Sequence, residues 1–181
     1  LSNNYAVKIA TTTKEKADRM IKGDPNGSSL RWSSDETEVL DELVRQHDIV
    51  VSFLPYRYHA VAARACIKSG KPLVTTSYVQ PEIKALEEAA KKSGTLLLNE
   101  IGLDPGIDHM TAKKVIDHIH SKGGKVEKFW SLCGALPAPE DADNPMKYKF
   151  SWSPKGVVLA SRNSALYLKN GEKVNIESID L

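Results

Sequence analysis

The chain lacks the features that mark membrane-spanning and nucleic-acid-binding proteins. No run of about 18 apolar residues is present, and a transmembrane helix needs roughly that many. The 25 basic and 23 acidic residues are well mixed and give a net charge of +2, so no basic stripe marks a nucleic-acid groove or an anionic membrane surface. These absences favour a protein of 181 residues that binds a small molecule.

Cysteine and metal-ligand patterns are also scarce. Cys66 and Cys133 lie far apart, without a C-x-x-C or Cys/His ligand spacing, which fits a reducing compartment such as the cytoplasm. His118 and His120 are two residues apart on a predicted helix and face different sides, so they do not form a chelating pair. We predict no disulfide and no metal site.

The two ends of the chain and the absence of a glycine motif indicate that the sequence is truncated. Leu1 to Tyr5 contains neither a start methionine nor a basic signal region. Val174 to Ile176 has the composition of a strand, yet we identify no partner strand for it. No G-x-G-x-x-G turn follows the first predicted strand. We therefore expect a chain cut at both ends, with the phosphate-binding turn before Leu1.

What the sequence does contain is an alternation of short β-branched runs and amphipathic stretches. This order is typical of a parallel sheet flanked by helices. Strands are predicted at 5–12, 29–32, 49–54, 72–76 and 95–99, and helices at 14–21, 37–46, 58–69, 81–93 and 107–122. The fold class is predicted as α/β, a doubly wound (Rossmann-like) nucleotide domain without its first strand and glycine turn.

The character of the chain changes after Gly123. A run from Val126 to Cys133 is predicted as a strand, and a proline-rich stretch and a Trp- and Tyr-containing segment follow it. We predict a partial dinucleotide-binding domain over 1–123. Residues 124–181 then form the truncated beginning of an α+β domain for substrate binding and dimerisation.

Polar or turn-forming segments follow several predicted strands. They are Thr11-Thr12-Thr13, Ser52 to Tyr56, Thr75 to Tyr78, and Glu100 to Gly106. Open α/β sheets bind ligands outside the carboxyl ends of their strands, which makes these segments candidates for a site. Turn formation and helix capping explain the same residue types without any ligand. For Asp104, the alternative to a functional role is an N-terminal cap for the helix that begins near Ile107.

Taken together, these segments resemble the saccharopine reductases, the L-glutamate-forming saccharopine dehydrogenases. The resemblance rests on FLPY at 53–56, TTSY at 75–78, NEIGLDPGIDH at 99–109, CGALPAPE at 133–140 and YKFSWSP at 148–154. Such long irregular strings are more specific than a glycine motif. The resemblance implies an NAD(P)-dependent oxidoreductase of lysine metabolism that acts on a CH–NH bond and interconverts saccharopine with glutamate and 2-aminoadipate 6-semialdehyde.

The resemblance also implies residue roles. Asp104 is the catalytic candidate, able to orient the secondary amine of saccharopine or to take its proton. The residues implied in cofactor binding are Thr12, Thr13, Leu54, Pro55, Ser77, Leu103, Asp104, Pro105 and Ser153. Those implied in substrate binding are Ser77, Tyr78, Asp104, Cys133, Gly134 and Trp152. Cys133 is expected to be a buried thiol that contacts substrate without covalent chemistry.

Coenzyme choice and assembly follow from the same comparison. The corner Thr11 to Lys14 has no acidic residue, which favours NADP, although the arginine usual in fungal members is missing and NAD stays open. A homodimer is expected, in the cytoplasm or, for an animal bifunctional enzyme, in mitochondria. Two alternatives are a carboxynorspermidine-type dehydrogenase and a module without turnover. The isolated chain is expected to be inactive.

Overall fold

The computed structural model describes residues 5–151 and 153–180. The chain divides into two compact units, one ending at Ser131 and one starting at Leu132. Each unit is described by itself.

Two parallel sheets form the strand layer of the first unit. In one, β1 (Val7–Thr11) pairs with β2 (Gly27–Arg31). In the other, the order is β3 (Val50–Ser52), β4 (Leu73–Thr75) and β5 (Leu97–Leu98). Every pairing in both sheets is parallel, and helices connect the strands, so the predicted α/β fold is confirmed. Four of the five strands are shorter than the predicted runs, and β2 begins earlier than predicted, at Gly27.

The helices of the first unit follow the predicted order. They are α1 (Lys14–Ile21), α2 (Thr37–Arg45), α3 (His59–Ser69), α4 (Pro81–Lys84), α5 (Glu87–Ser93) and α6 (Ile107–Ser121), with a 3₁₀ turn at Tyr56–Tyr58. The single helix predicted from Pro81 is wrong, because the helix is interrupted between Lys84 and Glu87. Proline at the first turn still begins α4, as expected.

Helix ends agree with the predicted signals in part. Gly70 and Gly94 follow α3 and α5 in the left-handed conformation that glycine adopts without strain. Thr13 precedes α1, where a threonine can cap a helix, but its side chain does not cap this one. Its backbone nitrogen donates to Thr11 Oγ1 at 3.2 Å, and its carbonyl accepts from the backbone nitrogens of Lys16 and Ala17. Thr13 is therefore tied through its backbone both to the end of β1 and to the first turn of α1.

The hydrophobic core of the first unit lies around α3. Leu73 on β4 and Ala63 and Cys66 on α3 are fully buried, and Val44 of α2 packs into the same cluster. Leu40 and Val44 fall on one face of α2, as the spacing predicted. This packing fixes α3 and its first residue, His59, against the sheet.

The apolar positions of α6 are covered only in part. Ala112, Ile116 and Ile119 are partly buried, whereas Val115 is 54% exposed and no described residue of the helix is fully buried. The amphipathic spacing predicts the helix correctly, and three of these four apolar positions are at least partly turned away from solvent.

In the described part of the second unit, the regular elements are one α-helix, two strands and two short 3₁₀ turns. Helix α7 (Pro154–Ala160) begins after Ser153, and β6 (Ala165–Lys169) pairs antiparallel with β7 (Glu172–Ile176). The 3₁₀ turns span Pro139–Asp141 and Ser178–Asp180. Helix and hairpin together agree with the predicted α+β class.

Two sequence predictions in this region are wrong. The strand at Val174 to Ile176 does have a partner, β6, which reaches it through the two-residue turn Asn170-Gly171 with φ of 54° and 84°. Asn-Gly favours such hairpin turns because both residues accept positive φ. The run from Val126 to Cys133 is not a strand, because no described segment pairs with it. Among the described helices, none is long and apolar enough to cross a membrane.

Candidate functional site

The candidate site lies where the three strands of the β3–β5 sheet end. The register aligns Ser52 with Thr75, and Val74 with Leu98, so the loops that follow these strands start side by side. Hydrogen bonds connect the end of β4 to the loop that follows β5. Thr75 Oγ1 donates to Asn99 Oδ1 at 3.0 Å, and the backbone nitrogen of Ile101 donates to the Thr75 carbonyl at 3.0 Å.

Glu100 makes a second connection between these loops. Its backbone nitrogen donates to the Ser77 carbonyl at 3.2 Å, and its side-chain Oε1 accepts from the backbone nitrogen of Val79 at 3.1 Å. Glu100 has a positive φ of 63°, which is uncommon for a residue other than glycine. Sequence reasoning did not single out Glu100, although its place between a strand and the GLDPG segment was the available signal.

Tyr78 and Asp104 are brought into direct contact. The Tyr78 hydroxyl donates to Asp104 Oδ1 at 2.7 Å, across 26 positions of sequence. This hydrogen bond is the main reason that the pKa of Tyr78 is raised to about 12. Partial burial and the negative charges of Asp104, Asp108 and Glu100 act in the same direction. The phenol therefore stays protonated at neutral pH and acts as a donor toward the carboxylate.

The loop that carries Asp104 is shaped by two glycines. The Asp104–Pro105 peptide bond is cis, and Gly106 has a positive φ of 150°. A Cβ at Gly106 would collide with the backbone of Gly102, so the loop closes only with glycine there. The backbone nitrogen of Gly102 donates to the Pro105 carbonyl at 2.8 Å, which completes the tight turn.

The capping alternative for Asp104 is wrong. Gly106 occupies the N-cap position of α6, and no side chain caps this helix. Asp104 points its Oδ1 to Tyr78 instead, while Asp108 Oδ1 accepts from the backbone nitrogen of Gly106 at 3.0 Å. Although burial opposes it, hydrogen bonds from His109 and Gly106 lower the pKa of Asp108.

Asp104, Asp108 and His109 form a small cluster whose polar atoms lie within 4.8 Å of one another. Tyr78 donates to Asp104, and His109 Nδ1 lies 2.7 Å from Asp108 Oδ1. The first bond fixes Asp104, and the second joins Asp108 to His109.

His59 joins the end of β3 to the loop that follows β4. It is the first residue of α3, is only 1% exposed, and lies between Ser52 and Ser77. Its Nδ1 is 2.9 Å from Ser52 Oγ and its Nε2 is 2.9 Å from Ser77 Oγ. Burial lowers the pKa of His59. A histidine at the start of a helix is often solvated, but this ring is buried, with one partner at the end of β3 and the other in the loop after β4.

Leu54 and Pro55 follow β3 at the same sheet edge. Leu54 is partly buried and packs against the core cluster, while Pro55 is exposed and its carbonyl accepts from the Tyr58 nitrogen at 2.8 Å. Leu103 is 62% exposed, and Pro105 is buried beneath the loop. Of the residues after the third strand, Leu103 and Asp104 thus face solvent and Pro105 supports them.

The corner after β1 belongs to the other sheet. Thr12 and Thr13 are exposed there, and Thr13 Oγ1 lies 3.4 Å from Thr11 Oγ1. Lys14, the basic residue at this corner, forms an ion pair of 2.7 Å with Asp18. Arg31, which sequence reasoning did not consider, lies opposite Thr11 in the parallel register and is exposed. No hydrogen bond among the described residues joins this corner to Ser77, Tyr78 or Asp104.

The candidate residues of the second unit are in varied settings. Cys133 is exposed, so the expected buried thiol is wrong: its segment has no regular structure, and the neighbouring Leu132 is 97% exposed. Gly134 is exposed as well. Ser153 Oγ accepts from the backbone nitrogen of Gly156 at 3.1 Å and caps α7. Trp152 lies outside the described residues.

Family models cover almost the whole chain. Residues 2–98 match the saccharopine dehydrogenase NADP binding domain, and residues 102–181 match the saccharopine dehydrogenase C-terminal domain. The chain belongs to the saccharopine dehydrogenase family. Its membership agrees with the resemblance carried by the strand-end segments.

Relatives of known activity support the same assignment. Saccharopine dehydrogenase [NADP(+), L-glutamate-forming] of Schizosaccharomyces pombe is 49% identical over 97% of this chain and 39% of its own length. The alpha-aminoadipic semialdehyde synthase of Arabidopsis thaliana is 43% identical over 96% of this chain and 16% of its own length. The solved apo saccharopine dehydrogenase (L-Glu forming) from Saccharomyces cerevisiae matches with a TM-score of 0.81 and 42% identity, over 99% of this chain and 40% of that chain. The family member described here thus spans about two fifths of the length of these fungal relatives.

Proposed function

We propose that this family member contributes its strand-end loops to an L-glutamate-forming saccharopine dehydrogenase, which uses NADP to interconvert saccharopine with glutamate and 2-aminoadipate 6-semialdehyde. Family membership and the activity of the S. pombe relative support the reaction. The observation that carries the proposal for this chain's own residues is the hydrogen bond between Tyr78 and Asp104.

Asp104 is proposed as the catalytic residue. Tyr78 holds Oδ1, whereas Oδ2 makes no hydrogen bond with any residue that the structure describes. A carboxylate with one oxygen fixed and the other open can receive a hydrogen bond from the secondary ammonium group of saccharopine. Asp104 would thereby orient the amine or take its proton, and exposed Tyr78 and Leu103 would border the substrate.

The residues at the strand ends fit a phosphorylated dinucleotide. Loops at the carboxyl edge of a parallel sheet are the usual dinucleotide position, and the corner after β1 carries threonine hydroxyls and no carboxylate. Arg31 lies opposite Thr11 with no described ion pair. We propose that Thr12, Thr13 and Arg31 bind the ribose 2′-phosphate. Bound NADP supplies the hydride-accepting ring.

The other proposed cofactor and substrate contacts rest on membership of the family. Leu54, Pro55, Ser77, Leu103 and Pro105 are proposed to border the cofactor, with Ser153 from the second unit. The substrate contacts proposed in that unit are Cys133, Gly134 and Trp152. We also propose a homodimer and a domain boundary near Gly123. The proposed location is cytoplasmic, or mitochondrial as for the mitochondrial alpha-aminoadipic semialdehyde synthase of Mus musculus.

The test uses a hybrid enzyme, in which this chain replaces the matching segment of the S. pombe enzyme. We expect NADP-dependent oxidation of saccharopine, measured by NADPH absorbance. Asp104→Asn keeps the shape and the acceptor for Tyr78 but removes the charge, so kcat/KM should fall about tenfold or more with little loss of stability. Asp104→Ala, which also removes the acceptor, is the comparison variant.

Two results would contradict the proposal. A hybrid enzyme that is folded, as shown by a cooperative unfolding transition, but does not oxidise saccharopine would refute the function. Near-wild-type turnover of Asp104→Asn across the pH range would remove Asp104 from the catalytic role and leave the rest of the proposal standing.

A further inference from the structure

The buried contact between His59 and two serines fixes more than the position of a ring. Ser52 and His59 are 4% and 1% exposed, and the imidazole lies 2.9 Å from a hydroxyl on each side. A neutral imidazole has one N–H donor and one acceptor nitrogen. One hydroxyl must therefore donate to the ring while the other accepts from it.

The surroundings of Ser52 decide which hydroxyl donates. Among the described residues, Ser52 Oγ has no hydrogen-bond partner other than His59 Nδ1. If Nδ1 carried the proton, the Ser52 hydroxyl hydrogen would be buried without an acceptor, which costs roughly 1–3 kcal/mol. With the proton on Nε2, Ser52 donates to Nδ1, and Nε2 donates to Ser77 Oγ. Both buried groups are then satisfied.

This tautomer sets the direction of the Ser77 hydroxyl. Because Ser77 Oγ already accepts from Nε2, its own hydrogen is directed away from the ring. Ser77 is only partly buried, at the loop next to Tyr78. We propose that His59 is a positioning residue, held by Ser52, which makes Ser77 a hydrogen-bond donor to an acceptor oxygen of the bound ligand, such as a carboxylate or carboxamide oxygen. The functional half of this inference rests on the proposed function.

The tautomer is tested directly in the 181-residue chain. Nuclear magnetic resonance of a sample with ¹⁵N-labelled histidine should show the His59 ring protonated at Nε2 and not at Nδ1. Ser52→Ala removes the donor to Nδ1 and should weaken this preference, whereas Ser52→Thr keeps the hydroxyl and should preserve it. A wild-type ring protonated at Nδ1, or an even mixture of tautomers, would overturn the inference.

The functional consequence is tested in the hybrid enzyme. Ser52 is only 4% exposed and acts through His59, so Ser52→Ala should raise a ligand KM by up to about tenfold, the scale of one impaired hydrogen bond, with a smaller change in kcat. Ser77→Ala should give a similar rise. The double variant should show no further rise, because both changes remove the same donor. Thermal unfolding of each variant checks that it is folded.

Additive effects of the two substitutions, or an unchanged KM in Ser52→Ala, would overturn the positioning role. If Ser52 only supports packing, Ser52→Ala should lower the melting temperature, and its effect on KM should persist when Ser77 is already alanine. Failure of the wild-type hybrid enzyme to turn over saccharopine would instead refute the proposed function. The tautomer measurement is independent of that outcome.

Discussion

Acidification should destabilise the protein through His59. Burial lowers the pKa of this imidazole below its ordinary value of 6.5, so the folded state keeps the ring neutral while the unfolded chain takes up a proton. A base with a depressed folded pKa contributes no penalty well above pH 6.5 and an increasing penalty as the pH falls through that value. From pH 7.5 to 5.5 the penalty is at most about 1.4 kcal/mol, the free energy of one tenfold change in proton binding.

Urea unfolding of the 181-residue chain at these two pH values measures the effect. Trp32 is a suitable fluorescent probe because it is only 4% exposed and packs in the core cluster with Leu40 and Val44. His59→Gln removes the titrating group and leaves the four other histidines of the five in place, so the difference in slope between the two proteins isolates His59. Equal losses of stability in both proteins would refute the argument, as would a His59 pKa at or above 6.5 in a direct titration.

Two further predictions concern coenzyme choice and the loop that carries Asp104. In the hybrid enzyme, Thr12→Asp should lower the ratio of kcat/KM with NADP to kcat/KM with NAD, because it places a carboxylate against the 2′-phosphate. Arg31→Ala should lower kcat/KM with NADP by about tenfold or more, because it removes a charged partner of that phosphate. If both variants keep the wild-type ratio, the phosphate lies elsewhere. Gly106→Ala should lower the free energy of unfolding by more than about 1 kcal/mol, because its Cβ would collide with Gly102, whereas Gly134→Ala, with nothing within 4 Å of the added carbon, should change it little; equal effects would contradict the tight turn.

The parallel sheet could be predicted because each of its signals is local. Continuous apolar runs such as Ile49 to Leu54 indicate strands, and the glycines at 70 and 94 mark helix ends. Coverage of β3 on both faces is not observed, because Val51 is 51% exposed. The strand ends then define where a ligand can bind. The segments that contain Ser77, Tyr78 and Asp104 were predicted in this way, and they do lie in loops that follow neighbouring strands. The roles of the three residues came from the family resemblance and stay predictions.

The second unit was predicted less well for two different reasons. The Asn170-Gly171 turn and the Ser153-Pro154 helix start are local signals that were present and overlooked. The run from Val126 to Cys133 is a different case. Strand propensity describes a segment that is able to pair, but pairing also needs a partner strand, and within the described chain there is none.

Contacts between distant residues set the limit of prediction at the site itself. The cap and the catalytic interpretation of Asp104 were indistinguishable by spacing, because an aspartate before Pro-Gly suits both. The structure excludes the cap, because the carboxylate reaches back across 26 residues to Tyr78 and not forward to α6, while the catalytic role stays a prediction. His59 follows the same rule. Its function as an acceptor for Ser52 and a donor to Ser77 exists only once β3 and β4 are aligned, so it arises from the register of the sheet and not from any motif around the histidine.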